Sequence, residues 1–161
     1  MFDTINLNLI KDQLITREET IAAAESVTGG LLQLALSSVE SAEMFFQGGI
    51  TTYNIGQKSL HLNINPIHAM KCNCVSENIV RDMAINVCRL FNSDWGLAVT
   101  GYATPVEESD DKQYAWIGIA YKGEIRKTRL INSHDQGLEA QKLYVESLLS
   151  GILDLLSERS L

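Results

Sequence analysis

The run Ala24-Glu25-Ser26-Val27-Thr28-Gly29-Gly30 constrains this chain most, because it closes one apolar segment and opens another through a Thr-Gly-Gly turn. The small and β-branched residues of Thr20-Ile21-Ala22-Ala23-Ala24 predict a buried strand. Leu31, Leu32, Leu34, Ala35 and Leu36, beyond the glycines, predict an apolar helix. A strand that turns sharply into a helix leaves backbone N–H groups and hydroxyls at one spot outside the strand's carboxyl end, where the helix dipole favours an anion. Ser26 and Thr28 supply the hydroxyls there, and Gly29 and Gly30 supply the turn. Strand-Gly-Gly-helix turns are also common as plain structure, so a binding site and a simple connection both stay open on this motif alone.

The rest of the chain reads as strands alternating with helices, then a hairpin and a closing helix. Ile5, Leu9, Ile10 and Leu14 fall near helical spacing in a first helix, and the strand at about 19–25 follows. After the helix to about Leu36 comes a serine-rich loop, Ser37 to Glu43, and then a β-branched and aromatic run from Phe46 to Asn54 that reads as a strand. A short helix is expected over Ile55 to Leu60, and a loop over Leu62 to Cys74. Ser76 is placed to cap a helix with Glu77 in its first turn, and Ile79, Val80, Met83, Ala84, Val87, Cys88 and Phe91 follow at helical intervals. A strand from Asp94 to Thr100, two strands at about 113–121 and 125–131 around Lys122-Gly123, and a helix from about Gln136 to Ser157 complete the reading. This order predicts an α/β fold of three layers, α/β/α, around a mixed β-sheet.

Size and charge set further limits. The 161 residues, 45% hydrophobic, suffice for one substantial core and suggest one domain over 1–161, unbroken by any low-complexity spacer. A formal charge of -7 without a Lys/Arg cluster argues against a nucleic-acid surface. Met1-Phe2-Asp3-Thr4 lacks the basic start of a signal peptide and no run of apolar residues is long enough for a membrane span, so a cytoplasmic protein with no membrane partner is expected. Three cysteines, Cys72, Cys74 and Cys88, suit a reducing compartment, and with His61 and His68 they form no metal-ligand spacing, so no metal is expected.

Three further segments follow the first in order: Phe46-Gln47-Gly48-Gly49-Ile50-Thr51-Thr52-Tyr53-Asn54-Ile55-Gly56-Gln57-Lys58, Val75-Ser76-Glu77, and Thr100-Gly101-Tyr102-Ala103-Thr104-Pro105. Together the four resemble the CinA C-terminal domain family of competence/damage-inducible proteins, whose characterised members are nicotinamide-nucleotide amidohydrolases. The resemblance runs from about residue 5 to about residue 155. It implies the same three-layer fold, a serine amidohydrolase chemistry with no cofactor, and a homo-oligomer. In that chemistry a serine in the loop before the Tyr-bearing strand attacks, and a lysine just beyond the strand is the base. Aligned through Gly30 and Tyr53, this chain keeps Tyr53 and Lys58 but has Glu43 where the serine is expected. The expected catalytic positions are therefore Glu43, Tyr53 and Lys58, and the expected ligand positions Ser26, Thr28, Gly29, Gly30, Thr100 and Gly101.

The departures matter as much as the matches. A carboxylate cannot form the acyl-enzyme of a hydroxyl without making an anhydride, and an anionic Glu43 beside Lys58 would hold the amine protonated. After Thr100-Gly101 the family's glycine-rich loop is replaced by Tyr102-Ala103-Thr104-Pro105-Val106-Glu107-Glu108-Ser109, and only Lys112 remains of the motif that follows. Ser133-His134-Asp135-Gln136 stands where the family carries a Gly-Asp-Arg element, so the phosphate-binding arginine is missing. The reading that results is a protein related to nicotinamide mononucleotide deamidases, with weak or lost amidohydrolase activity and a retained crevice for a small ligand, a nicotinamide nucleotide or another amide. Its alternatives are an active amidohydrolase, with Glu43 activating water or Ser41 or Ser38 as a displaced nucleophile, and a structural oligomer whose crevice is vestigial.

Overall fold

Side-chain alternation in two central strands decides the layers. In β1 (Ile21–Glu25), Ile21 and Ala23 enter one apolar cluster while Ala22 and Ala24 enter another. In β3 (Trp95–Tyr102), Trp95, Leu97 and Val99 join the first cluster and Ala98 the second. A strand whose two faces are both buried must carry helices on both sides. The computed structural model, which describes residues 2–159, has that arrangement.

The sheet has five strands. β2 (Phe46–Thr51) is at one edge, then come β1, β3, β4 (Gln113–Tyr121) and, at the other edge, β5 (Glu124–Ser133). β1 runs parallel to β2 and β3, while β4 and β5 are antiparallel additions, so the sheet is mixed. One face is covered by α1 (Thr4–Thr16), α2 (Leu31–Ser37) and α6 (Leu138–Glu158), which contribute Ile10, Leu14, Leu36, Tyr144, Leu148 and Ile152 to the first cluster. The other is covered by α3 (Ile55–Leu62), α4 (Pro66–Lys71) and α5 (Glu77–Phe91), which contribute Leu62, Ala69, Val80, Met83 and Val87 to the second. This is the three-layer α/β fold that the order of elements predicts. Among the described residues no helix is long and apolar enough to cross a membrane.

The two faces are unlike. Toward α5 the sheet presents Ala22, Ala24, Ala98 and Ala120 with Gly96 and Gly118, and the α5 backbone comes down onto them. A Cβ on Gly96 would stand 2.2 Å from the Ala84 carbonyl oxygen and 2.7 Å from Cys88 Sγ. Bulk lies on the opposite face, where Trp95, Leu97, Ile117 and Ile119 meet α1 and α6. α5 thus lies close against the parallel strands and carries the chain back to β3 beside β1.

Boundaries differ from the sequence reading in several places, three of them for a clear local reason. The segment expected to be loop over Leu62 to Cys74 contains α4, because Asn65 accepts from the Ile67 and His68 amides at 2.9 and 3.2 Å and Pro66 takes the first helical position, where its missing N–H costs nothing. β2 stops at Thr51, short of Asn54, since the Asn54 side chain caps α3 through the Gln57 amide at 3.0 Å. β3 continues past Thr100 to Tyr102, paired with β4 through Gly101 opposite Ala115. Ser76 caps α5 through the Ile79 amide at 3.2 Å, as the sequence predicts.

Gly96→Ala is expected to lower stability by about 1–3 kcal/mol, because the added methyl meets helix backbone that has no room to yield. Thermal unfolding checks it, and an unchanged melting temperature would contradict the close α5–sheet packing.

Candidate functional site

The carboxyl ends of β1, β2 and β3 open on one cavity of about 670 Å³. Its wall is built from Ser26 and Val27 after β1, from Tyr53 to Lys58 after β2, from the Asn73–Val75 turn before α5, and from the end of β3 onward. α6 closes the remaining side with Gly137 and Gln141. Three bonds tie that helix to the strand ends: Gln141 Nε2 donates to the Val27 carbonyl at 2.7 Å, Tyr144 Oη to the Tyr102 carbonyl at 2.8 Å, and the Gly137 amide to the Ala103 carbonyl at 2.6 Å. Crevices in open α/β sheets form at such strand ends.

Lys58 is the chemically unusual residue of this cavity. Asn54 starts α3 at the end of β2, and one turn later Lys58 projects back under the strand ends, only 1% exposed. Its Nζ donates to the Thr52 carbonyl at 2.7 Å and lies 2.9 Å from Ser26 Oγ. Among the described residues no carboxylate forms an ion pair with it. Burial therefore pushes its pKa below the ordinary 10.5, while charge on the neighbouring Cys74 acts in the opposite direction. Burial also pushes the Cys74 thiol up, so both groups are shifted toward their neutral forms. Thr52 Oγ1, on the residue whose carbonyl holds Lys58, is a buried hydroxyl without a hydrogen-bond partner among the described residues.

Ser26 is held from the other side. Its amide donates to the Val99 carbonyl at 3.2 Å, which extends the β1–β3 ladder by one bond and fixes the serine at the top of the strand. The hydroxyl then has Lys58 Nζ as its partner. A neutral lysine amine has a lone pair, so at this distance it can take the proton of the hydroxyl, as a base paired with a nucleophile must.

The Thr-Gly-Gly turn has a different occupation from the one its sequence suggests. Glu25 is fully buried and turns its carboxylate into the α2 N-terminus: Oε2 accepts from Thr28 Oγ1 and from the Gly30 and Leu32 amides at 3.2 and 3.0 Å, and Oε1 accepts from the Gln33 amide at 2.8 Å. The anion expected at this helix end is the chain's own side chain. Gly29 and Gly30 take φ of 60° and 110°, the left-handed region that glycine enters without strain, and carry the backbone around that carboxylate. Gly30 caps α2 without a side chain, so Glu25 does the capping from the preceding strand.

The structure thus brings together Ser26, Tyr53, Lys58, Thr100 and Gly101 around the cavity, with Tyr53 71% exposed at its rim. Thr100 is buried and spends its hydroxyl on the Cys74 carbonyl at 2.8 Å. Gly101 permits strand pairing, since a Cβ there would stand 2.3 Å from the Tyr114 carbonyl oxygen. Thr28, Gly29 and Gly30 lie in the turn around Glu25 and do not line the cavity. Glu43 does not line it either: it sits in the 3-10 turn Ala42–Met44 before β2, while Lys58 follows β2. The strand between them spans six residues, a length of about 20 Å at about 3.3 Å each. The expected Glu43–Lys58 pair is corrected accordingly, because a strand runs from one end of a sheet to the other. Sequence reasoning passed over Cys74, Tyr102 and Gln141, which also line the cavity. Only Tyr102 carried a signal, by its place within the Thr100–Pro105 segment. Among the described residues no group of three or more His, Cys, Asp or Glu side chains is placed to hold a metal ion.

Comparison with known proteins agrees with this architecture. The family model for the CinA C-terminal domain matches residues 4–156. A CinA-like protein of Prochlorococcus marinus strain MIT 9301 is 37% identical over 161 residues, covering 97% of this chain and 38% of the relative. The chain thus spans about two fifths of the length of the curated relatives it matches. Among solved structures, a competence-damaged protein (CinA) superfamily protein from Klebsiella pneumoniae superposes with a TM-score of 0.89 at 23% identity, covering 96% of this chain and 97% of its own. One from Escherichia coli superposes at 0.86 with 26% identity, covering 96% of this chain and 93% of its own.

Glu25→Ala strips the α2 turn of its acceptor, and charge-assisted bonds to buried donors are costly to lose. A destabilisation of about 3 kcal/mol is expected, readable as a lower denaturant midpoint. An unmoved midpoint would contradict the capping role.

Proposed function

The chain belongs to the CinA C-terminal domain family, and on that footing we propose that it is an amide hydrolase whose nucleophile is Ser26 and whose base is Lys58. One observation carries the reading: a lysine 1% exposed, without a carboxylate partner among the described residues, has its Nζ 2.9 Å from a serine hydroxyl on the wall of the cavity at the strand ends. Burying a lysine without a counter-charge is costly, and one use repays that cost: the amine stays neutral and takes a proton. With Ser26 as nucleophile, the serine expected in the loop before β2 is not needed, and its replacement by Glu43 does not by itself abolish the chemistry.

The steps follow from the geometry. Ser26 Oγ attacks the carboxamide carbon as its proton passes to Lys58 Nζ, and a tetrahedral oxyanion forms. The Val27 amide, next in the chain after the nucleophile, is the group proposed to meet that oxyanion. Collapse breaks the C–N bond, and the departing nitrogen takes the proton from Lys58, so that ammonia leaves and an ester on Ser26 remains. Water then attacks the ester, giving its proton to Lys58, and Ser26 leaves with that proton. The net change is amide plus water to carboxylate plus ammonium. Tyr53, exposed at the rim, is proposed to contact the part of the substrate that projects outward. The related deamidases make nicotinamide mononucleotide the first substrate to test.

Ser26→Ala and Lys58→Met are each expected to reduce ammonia release at least about 10³-fold, while Glu43→Ser leaves it near the parent rate. In the parent, kcat/KM should rise with pH through a pKa below 10.5, since the neutral amine is the active form and burial favours it. Ammonia release that survives Ser26→Ala would reject the assignment.

A further inference from the structure

We propose that this cavity selects flat carboxamides that carry no phosphate, neutral or positively charged, an inference that rests on the amide-hydrolase reading and narrows its substrate. The charge on the cavity wall is the first reason. Among the described residues Lys58 is the sole formally charged side chain lining it, and its Nζ is buried between Ser26 and Thr52. A phosphate is ordinarily held by Arg or Lys forks, or by unsatisfied amides at a helix N-terminus. Side chains answer the starts of α2, α3 and α5 near the strand ends, through Glu25, Asn54 and Ser76, and although Gly137 gives α6 no side-chain cap, Glu139 in its first turn sets a carboxylate near that end, paired with Lys142.

The second reason is the sign of the mouth. The segment after β3 enters the cavity wall at Thr104 and Val106 and then carries Glu107, Glu108, Asp110 and Asp111, all exposed, against one lysine, Lys112. Burial raises the Tyr102 pKa, and the Glu108 carboxylate is near enough to oppose a phenolate there and raise it further. A phosphomonoester, with nearly two negative charges, would meet the same field. A neutral or cationic ring would not, and it would find the aromatic side chains of Tyr53 and Tyr102 on the wall. Tyr102 is held for such a contact, edge-packed on Tyr114 at 5.3 Å between centroids and hydrogen-bonded at its hydroxyl by Asn73 Nδ2 at 3.1 Å.

Two probes that differ by one phosphate test this: nicotinamide mononucleotide and its dephosphorylated riboside. Calorimetry on Ser26→Ala, which removes turnover, should give a Kd for the riboside at least about tenfold lower at low salt. That preference should shrink at high salt, and Glu108→Lys should shrink or reverse it. Ammonia release by the parent protein should follow the same order of kcat/KM. Equal or tighter binding of the mononucleotide overturns the inference, and so does a failure of the riboside to bind. Failure of the hydrolase reading looks different: both proteins would bind the riboside while the parent released no ammonia from either probe.

Discussion

A buried amine held between a carbonyl and a hydroxyl is the interaction on which the rest of this site depends. Among the described residues Lys58 Nζ has two hydrogen-bond partners, the Thr52 carbonyl and Ser26 Oγ, and water scarcely reaches it. Had an acid sat within ion-pairing distance, the amine would stay charged and serve only as a structural cation. With none among the described residues, burial shifts the amine toward its neutral form against the smaller effect of Cys74, and that shift is what supports the proposed role of Lys58 as the base for Ser26.

The scaffold sets that contact through three parallel strands whose carboxyl ends lie level. Ser26 is fixed by the bond of its amide to Val99 on β3, and Lys58 by a helix that Asn54 starts directly after β2. The approach of α5 to a face of alanines and glycines brings the Asn73–Val75 turn, with Cys74, to the same edge. Glu25 and Ser26 are neighbours in the chain with opposite duties. The carboxylate is consumed in holding the α2 turn, which leaves the hydroxyl to face the cavity.

Much of this was legible in the residues. The i, i+3, i+4 pattern from Ile79 to Phe91 marks α5, and Lys122-Gly123, with φ of 50° and 76°, makes the hairpin turn between β4 and β5. α4 is too short for a periodic pattern, and only its Asn65-Pro66 start announces it. At the site, Ser26, Tyr53, Lys58, Thr100 and Gly101 lie where the strand ends predict. The distance between Glu43 and Lys58 is implicit in the strand that separates them, because residues before and after one strand lie at opposite ends of a sheet. The contact of Ser26 with Lys58 had no such signal: it joins positions 32 apart through the pairing of β1 with β2, which no local pattern encodes. The fate of Glu25 was hidden for a related reason, since a strand glutamate that caps the following helix looks in sequence like any other acid.

The most direct measurement is the titration of Lys58 itself, followed by NMR on protein with isotope-labelled lysine side chains and assigned by its loss in Lys58→Met. Lys58 is expected to become neutral below the ordinary 10.5, and its signal to respond when Ser26 is replaced by alanine. A Lys58 that stays charged up to the ordinary 10.5 would contradict this.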